Sequence, residues 1–136
     1  MTCPLCHTGH EDILLQTEQY RVIAVHNEPN VPAFCRVIWH EHIAEMTDLS
    51  ANDRQTLMNA VYQVEAAMRA VLPVHKINLA SLGNMVPHLH WHVIARFADD
   101  AHFPAPIWAN SQRTNTIRLP ENWLDDVKQR LNAPQS

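Results

Sequence analysis

Three histidines alternate with apolar residues in the run His88-Leu89-His90-Trp91-His92-Val93, and a period of two leaves few folds open. Successive side chains of a strand point to opposite faces, so His88, His90 and His92 share one face while Leu89, Trp91 and Val93 share the other. The pattern predicts a strand over 88–95, with its apolar face in a core and its imidazoles displayed on a rigid element. Imidazole titrates near neutral pH, donates and accepts hydrogen bonds, binds metals, and attacks phosphorus or carbonyl centres. A purely structural row is disfavoured, because burying three polar rings together without partners is costly. Residues two apart on a strand stand about 6.6 Å apart, which separates the outer pair by about 13 Å. One ion with bonds near 2 Å to nitrogen suits neighbouring rings but not all three from a straight strand. The row therefore fits an extended ligand, such as a phosphate chain, better than a single ion.

The chain holds only two glycines, Gly9 and Gly83. Rossmann and Walker phosphate loops both need several glycines at fixed spacing, so neither is present. Net charge is −4 with histidine neutral, and Lys and Arg are scattered. A nucleic-acid binder would show a basic stripe, so any phosphate chemistry is expected on a small molecule. The N-terminal run MTCPLCHTGHEDILLQ has neither the basic start nor the apolar run of a secretory signal, and no stretch is long and apolar enough to span a bilayer. A cytoplasmic location without a membrane partner is the expectation. A length of 136 residues suits one domain, 1–136, able to bury roughly 68% of its unfolded surface.

The order of elements narrows the architecture. Residues 13–15 can begin a short strand, and Tyr20 to His26 and Cys35 to Trp39 are apolar, β-branched strands flanking a Pro- and Asn-containing loop over 27–34. Ser50-Ala51-Asn52-Asp53 reads as a capping box opening a helix through residue 72. Leu57, Val61, Val64, Met68 and Val71 recur on it at helical spacing, with Met58 and Met68 as core packing, and Pro73 ends it. Val74 to Leu79 predicts a strand paired with 88–95 around the loop 81–87. Residues 98–120 are irregular, and Pro120 suits the first turn of a terminal helix bearing Trp123, Val127 and Leu131. Strands in succession with one long and one late helix predict an α+β fold with an antiparallel sheet.

Three cysteines are too few for a disulfide framework. Cys3-Pro-Leu-Cys6 has the spacing of half a tetrahedral zinc site; a local set with His7 and His10, or two free thiols, are the alternatives from the residues alone. Cys35 reads as a small buried hydrophobe. His40, His75 and His102 read as surface or turn residues. Asn27 is a turn residue on its own pattern. Trp108 is expected to pack, with covering a base or a dimer seam as the other readings.

Val-Pro followed by HLHWHVIAR, residues 86–96, resembles the signature of the histidine-triad (HIT) superfamily, His-φ-His-φ-His-φ-φ. The strand at 20–26, VIWHEH at 37–42, the DLS-plus-helix, and KINLASLGN at 76–84 follow in that family's order. The resemblance, with bacterial and diadenosine polyphosphate hydrolase-like members, implies an antiparallel sheet of about five strands with one long helix and a C-terminal helix, usually as a homodimer. It implies a Cys-x-x-Cys segment over 1–12 and a C-terminal segment over 98–136. It implies hydrolysis or transfer at the α-phosphate of dinucleoside polyphosphates or nucleoside phosphoramidates through a nucleotidyl-histidine. His90 would be the nucleophile, His92 a contact to phosphate oxygens or the leaving group, and His88 a supporting residue. Asn27 falls where the family binds ribose hydroxyls, and Asn84 where it contacts phosphate. Related proteins bind structural zinc through positions matching Cys3, Cys6, His42 and His88; the chemistry itself requires no cofactor. Ala95 stands in place of a common proline, and the short 81–87 loop leaves no counterpart to the hydrolases' substrate-orienting glutamine. A nucleotide-binding or regulatory module without turnover, and a catalytic metal centre on the histidine row, are the competing readings.

Overall fold

A computed structural model describes residues 3–134; residues 1–2 and 135–136 of the two terminal segments lie outside it. Five antiparallel strands form one sheet: β1 (Asp12–Gln16), β2 (Tyr20–Ala24), β3 (Phe34–Trp39), β4 (Lys76–Ala80) and β5 (His90–Arg96), in the order β1-β2-β3-β5-β4. Two helices complete it, α1 (Ala51–Val71) and α2 (Trp123–Asn132). The α+β architecture with about five strands and two helices is the expected one.

Alternation separates the two faces of the sheet. Cys35, Val37 and Trp39 of β3 and Val93 and Ala95 of β5 join one core with Leu57, Val61, Val64 and Met68 of α1 and Val127 and Leu131 of α2. Cys35 is fully buried there, and burial pushes its thiol up to about 12, the behaviour of an inert hydrophobe. The opposite face carries a smaller apolar cluster, including Ile23, Phe34, Ile38 and Ile94, which Leu5 and Ile107 cover from outside the sheet. In the β3–β5 register Ile38 lies opposite His90, Arg36 opposite His92 and Phe34 opposite Ile94. Those six residues share the second face. It is less fully covered by helix, although His90 and His92 on it are only 7% and 5% exposed.

Several boundaries differ from expectation for local reasons. Strand β5 begins at His90, two residues late, because its partner β3 ends at Trp39. His88 and Leu89 are held by other bonds: the Leu89 amide donates to the Ile43 carbonyl at 2.7 Å, and the Trp39 amide to the Leu89 carbonyl at 3.2 Å. The capping box is half formed. Ser50 Oγ accepts from the Asp53 amide at 3.1 Å, whereas the Asp53 carboxylate accepts from Gln19 Nε2 at 3.2 Å instead of returning to the Ser50 amide. Pro120 stands before α2 rather than in its first turn; its carbonyl accepts from the Trp123 amide, and Asn122 is the N-cap. Strand β4 begins at Lys76, so Val74 and His75 precede it. Gly83 has φ of +73°, in the left-handed region that favours glycine, and makes the 81–87 loop feasible as a tight connection into β5.

Buried charge ties the N-terminal segment to the sheet. Arg21 on β2 is 1% exposed, and its guanidinium bonds both oxygens of Glu11, at 2.6 and 2.9 Å, and the Leu5 carbonyl at 2.7 Å. Among the described residues no helix is long and apolar enough to cross a membrane.

Candidate active site

The histidine row divides between two neighbourhoods. His88 is fully buried, and its Nε2 lies 2.6 Å from the Trp39 carbonyl oxygen. A carbonyl only accepts, so Nε2 carries the proton and Nδ1 holds a lone pair. That lone pair faces Cys3 Sγ and Cys6 Sγ, each at 3.5 Å, and His42 Nδ1 at 3.2 Å. Cys6 Sγ lies 3.4 Å from His42 Nδ1. All four donor atoms fall within 4.8 Å of one another. Zinc bonds of about 2.0–2.3 Å in a tetrahedron place neighbouring donors roughly 3.3–3.8 Å apart, so the observed separations fit that geometry. At 3.2 Å the two Nδ1 atoms are bridged by a proton on His42 Nδ1 or by a cation between them. The cluster is compatible with zinc, and the Trp39 carbonyl orients one of its imidazoles as outer partners of metal-bound histidines do. Of the sequence-level alternatives, the tertiary structure brings Cys3 and Cys6 together with His42 and His88; His7 and His10 are exposed and are not part of the cluster.

His90 and His92 remain side by side on β5, with ring centroids 4.9 Å apart and planes at 88°. His90 Nδ1 lies 2.6 Å from the His88 carbonyl oxygen, so Nδ1 is the protonated nitrogen and Nε2 carries the lone pair. Burial lowers the His90 pKa and favours the neutral ring that such a lone pair requires. Ser81 Oγ donates to the His90 carbonyl at 2.7 Å and ties the 81–87 loop to the strand. His92 Nδ1 accepts from Arg36 Nε at 3.3 Å. Burial, then the charges of Arg36 and His90, hold the His92 imidazole down at about 3. Neither Nε2 has a protein partner, and the only partnerless side-chain nitrogen or oxygen sealed from solvent among the described residues is His102 Nδ1. Each Nε2 is therefore not fully sealed, although the two residues are only 7% and 5% exposed.

A cavity of about 260 Å³ lies beside His90, walled by Ala44 to Thr47, by Ser81 to Gly83 and by His88 to Trp91. Trp108 is 51% exposed and stands edge-on to His92 at 5.4 Å between centroids, so it borders the histidine face instead of packing into a core. Asn27 and Asn84 are both exposed on loops, and neither lines the cavity beside His90. His102, expected at the surface, is 7% exposed because the turn around Asp100 folds it inward. That turn is held by Arg96, whose guanidinium meets both Asp100 oxygens, and by the Phe97, His102 and Phe103 amides, which donate to the same carboxylate. These bonds hold the Asp100 carboxyl at about 2, against its burial. Arg36 had gone unremarked in the sequence. The signal was there: one charge in the strand CRVIW, at the position that alternation assigns to the histidine face.

A five-stranded α+β sheet that presents paired imidazoles on one central strand defines a histidine-triad protein. The family model described as the HIT domain matches residues 8–99, and the chain belongs to the HIT family. Among solved structures it is similar to a histidine triad protein of Bradyrhizobium japonicum, at 25% identity over 88% of this chain and 91% of that one, with a TM-score of 0.73. A histidine triad protein of Marinobacter aquaeolei is 26% identical, covering 89% and 87% of the two chains, with a TM-score of 0.68. A zinc-bound histidine triad family protein of Mycobacterium smegmatis shares the fold at 19% identity, over 96% and 94%, with a TM-score of 0.68. No curated protein sequence matches the chain.

Proposed function

We propose that this protein is a nucleotide hydrolase or transferase that acts at the α-phosphate of a nucleoside phosphate derivative, with His90 as the nucleophile. The observation that carries this reading is the 2.6 Å contact from His90 Nδ1 to the His88 carbonyl, which leaves Nε2 unprotonated. A neutral imidazole with its second nitrogen tied to a carbonyl is an activated nucleophile at neutral pH. The Nε2 lone pair forms a bond to phosphorus while the bond from phosphorus to the leaving group breaks, and the leaving group departs with that electron pair. Water then bonds its oxygen to phosphorus as the phosphorus–Nε2 bond breaks, its electron pair returning to the ring and the water's proton passing to solvent. His92, beside it, contacts the phosphate oxygens where negative charge gathers in the transition state. Dinucleoside polyphosphates and nucleoside phosphoramidates are the substrate classes, with the ribose assigned to Asn27 and a phosphate contact to Asn84 by family resemblance.

The cluster of Cys3, Cys6, His42 and His88 is assigned to zinc in a structural role. Bound there, the metal would pin the N-terminal segment to the chain leading into β5 and supply folding stability. The whole chain acts as one domain over 1–136, as a homodimer by family resemblance.

The decisive experiment is mass spectrometry of protein mixed with dinucleoside polyphosphates and with nucleoside phosphoramidates. A transient gain of one nucleotidyl group, absent in His90→Ala, supports the reading. Saturable binding of a nucleoside monophosphate with neither adduct nor turnover in any of these mixtures overturns it in favour of a binding module.

A further inference from the structure

Arg36 is the one charged side chain on β3, and its register places it opposite His92 on the histidine face. Its guanidinium carbon lies over the Phe34 ring at 5.3 Å from the centroid, and its Nε donates to His92 Nδ1 at 3.3 Å. A guanidinium has five N–H donors and no acceptor. A hydrogen bond from it therefore demands a lone pair on His92 Nδ1, and in a neutral ring that places the proton on Nε2. Phe34 packs edge-on to the same imidazole at 5.3 Å and Trp108 closes its outer side at 5.4 Å, so the ring has little freedom to turn over.

From this geometry we propose that Arg36 is a positioning residue that sets His92 as an Nε2–H donor, the complement of the Nε2 lone pair that the His88 carbonyl sets on His90. The two adjacent rings thus differ in hydrogen-bonding character at Nε2: one able to attack phosphorus, the other able to donate to an oxygen on it. Arg36 acts through His92. A neighbouring cation also disfavours a second positive charge on that ring, so the donor remains a neutral N–H. The catalytic consequence rests on the nucleotidyl-transfer reading above; the proton placement does not.

The test is long-range proton–nitrogen NMR of the histidine rings in protein labelled with nitrogen-15 at pH 7, read beside steady-state kinetics. The native protein should show His92 with Nε2 protonated and Nδ1 bare. Arg36→Met should bring His92 into tautomer exchange and lower kcat roughly 10- to 100-fold, less than the roughly 100- to 1000-fold cost of removing a transition-state donor outright, with KM changed much less. Arg36→Gln keeps a donor without the charge and should restore the tautomer and most of kcat. A native His92 protonated on Nδ1 overturns the proposal, and so does an Arg36→Met protein with unchanged tautomer and kcat. If Arg36→Met does not fold, the native spectrum and Arg36→Gln decide alone. A correct tautomer in a protein that forms no nucleotidyl adduct would sink the enzymatic reading and leave the Arg36–His92 assignment standing.

Discussion

His88 and His90 are joined by a 2.6 Å hydrogen bond from the ring of one to the backbone carbonyl of the other, so a single residue serves both neighbourhoods. The His88 side chain faces Cys3, Cys6 and His42, and its carbonyl sets the tautomer of the ring two residues on. A structural metal and a metal-free chemistry then predict separable losses. Chelation, or Cys3→Ser, should lower Tm by roughly 6–8 °C for each 2 kcal/mol of metal contribution removed. Below the new transition His90 should still form its adduct. Metal content, a melting curve and the adduct assay on one sample check this; abolition of adduct formation with Tm unchanged would show a catalytic metal instead.

Acid should weaken the fold through the histidine face. The His92 ring titrates at about 3 in the folded protein, against 6.5 for a free ring, chiefly because it is buried. Between those values the unfolded chain binds a proton that the folded chain refuses, so stability rises with pH across the window. The contribution is complete above 6.5 and is lost as pH falls towards 3, at a slope for this group of at most about 1.4 kcal/mol per pH unit. His88 and His90 are shifted in the same direction. Asp100, held at about 2, adds its own loss only below 3.8. Urea midpoints should therefore drop steadily from pH 7 to pH 4, and His92→Gln should flatten part of that slope.

Glu11 is the partner of a cation that cannot reach water. Glu11→Ala leaves Arg21 buried with only the Leu5 carbonyl, and a broken buried pair of this kind costs about 3–5 kcal/mol. Replacing both, Arg21→Met with Glu11→Leu, should recover much of the loss, because no charge is then stranded. Urea denaturation of the two proteins measures the difference; equal stabilities would show that solvent reaches Arg21.

Helix α1 offers two graded changes away from the histidines. Ser50→Ala removes the acceptor for the Asp53 amide and should cost about 1 kcal/mol. Leu57→Ala opens a cavity at a fully buried position and should cost about 2–5 kcal/mol. Both effects should appear in the unfolding midpoint, with the KM of the folded protein unchanged.

The legible parts of the sequence were those carried by local pattern. Alternation over 88–95 and the apolar, β-branched run 35–39 pointed to strands, and helical spacing from Leu57 to Val71 to the buried side of α1. Cys-x-x-Cys marked half of the cluster that is compatible with zinc. Where the expectations slipped, a tertiary partner outweighed the local signal. Asp53 turned from its cap to Gln19, His102 was drawn inward by the turn around Asp100, and β5 lost its first two residues when β3 ended. Arg36 was invisible to motif reading because its importance lies in what stands across the ladder.

By itself, the chain determined which residues are imidazoles, thiols or core and which face of a strand each occupies, because those follow from composition and a backbone period of two. Only the tertiary structure decided where the protons sit. Trp39 lies 49 positions from His88, Arg36 lies 56 from His92, and Cys3 lies 85 from His88. A hydrogen bond acts over about 3 Å, so the states of His88 and His92 are set by distant groups that the fold brings within that reach, while His90 takes its proton position from a carbonyl two residues away.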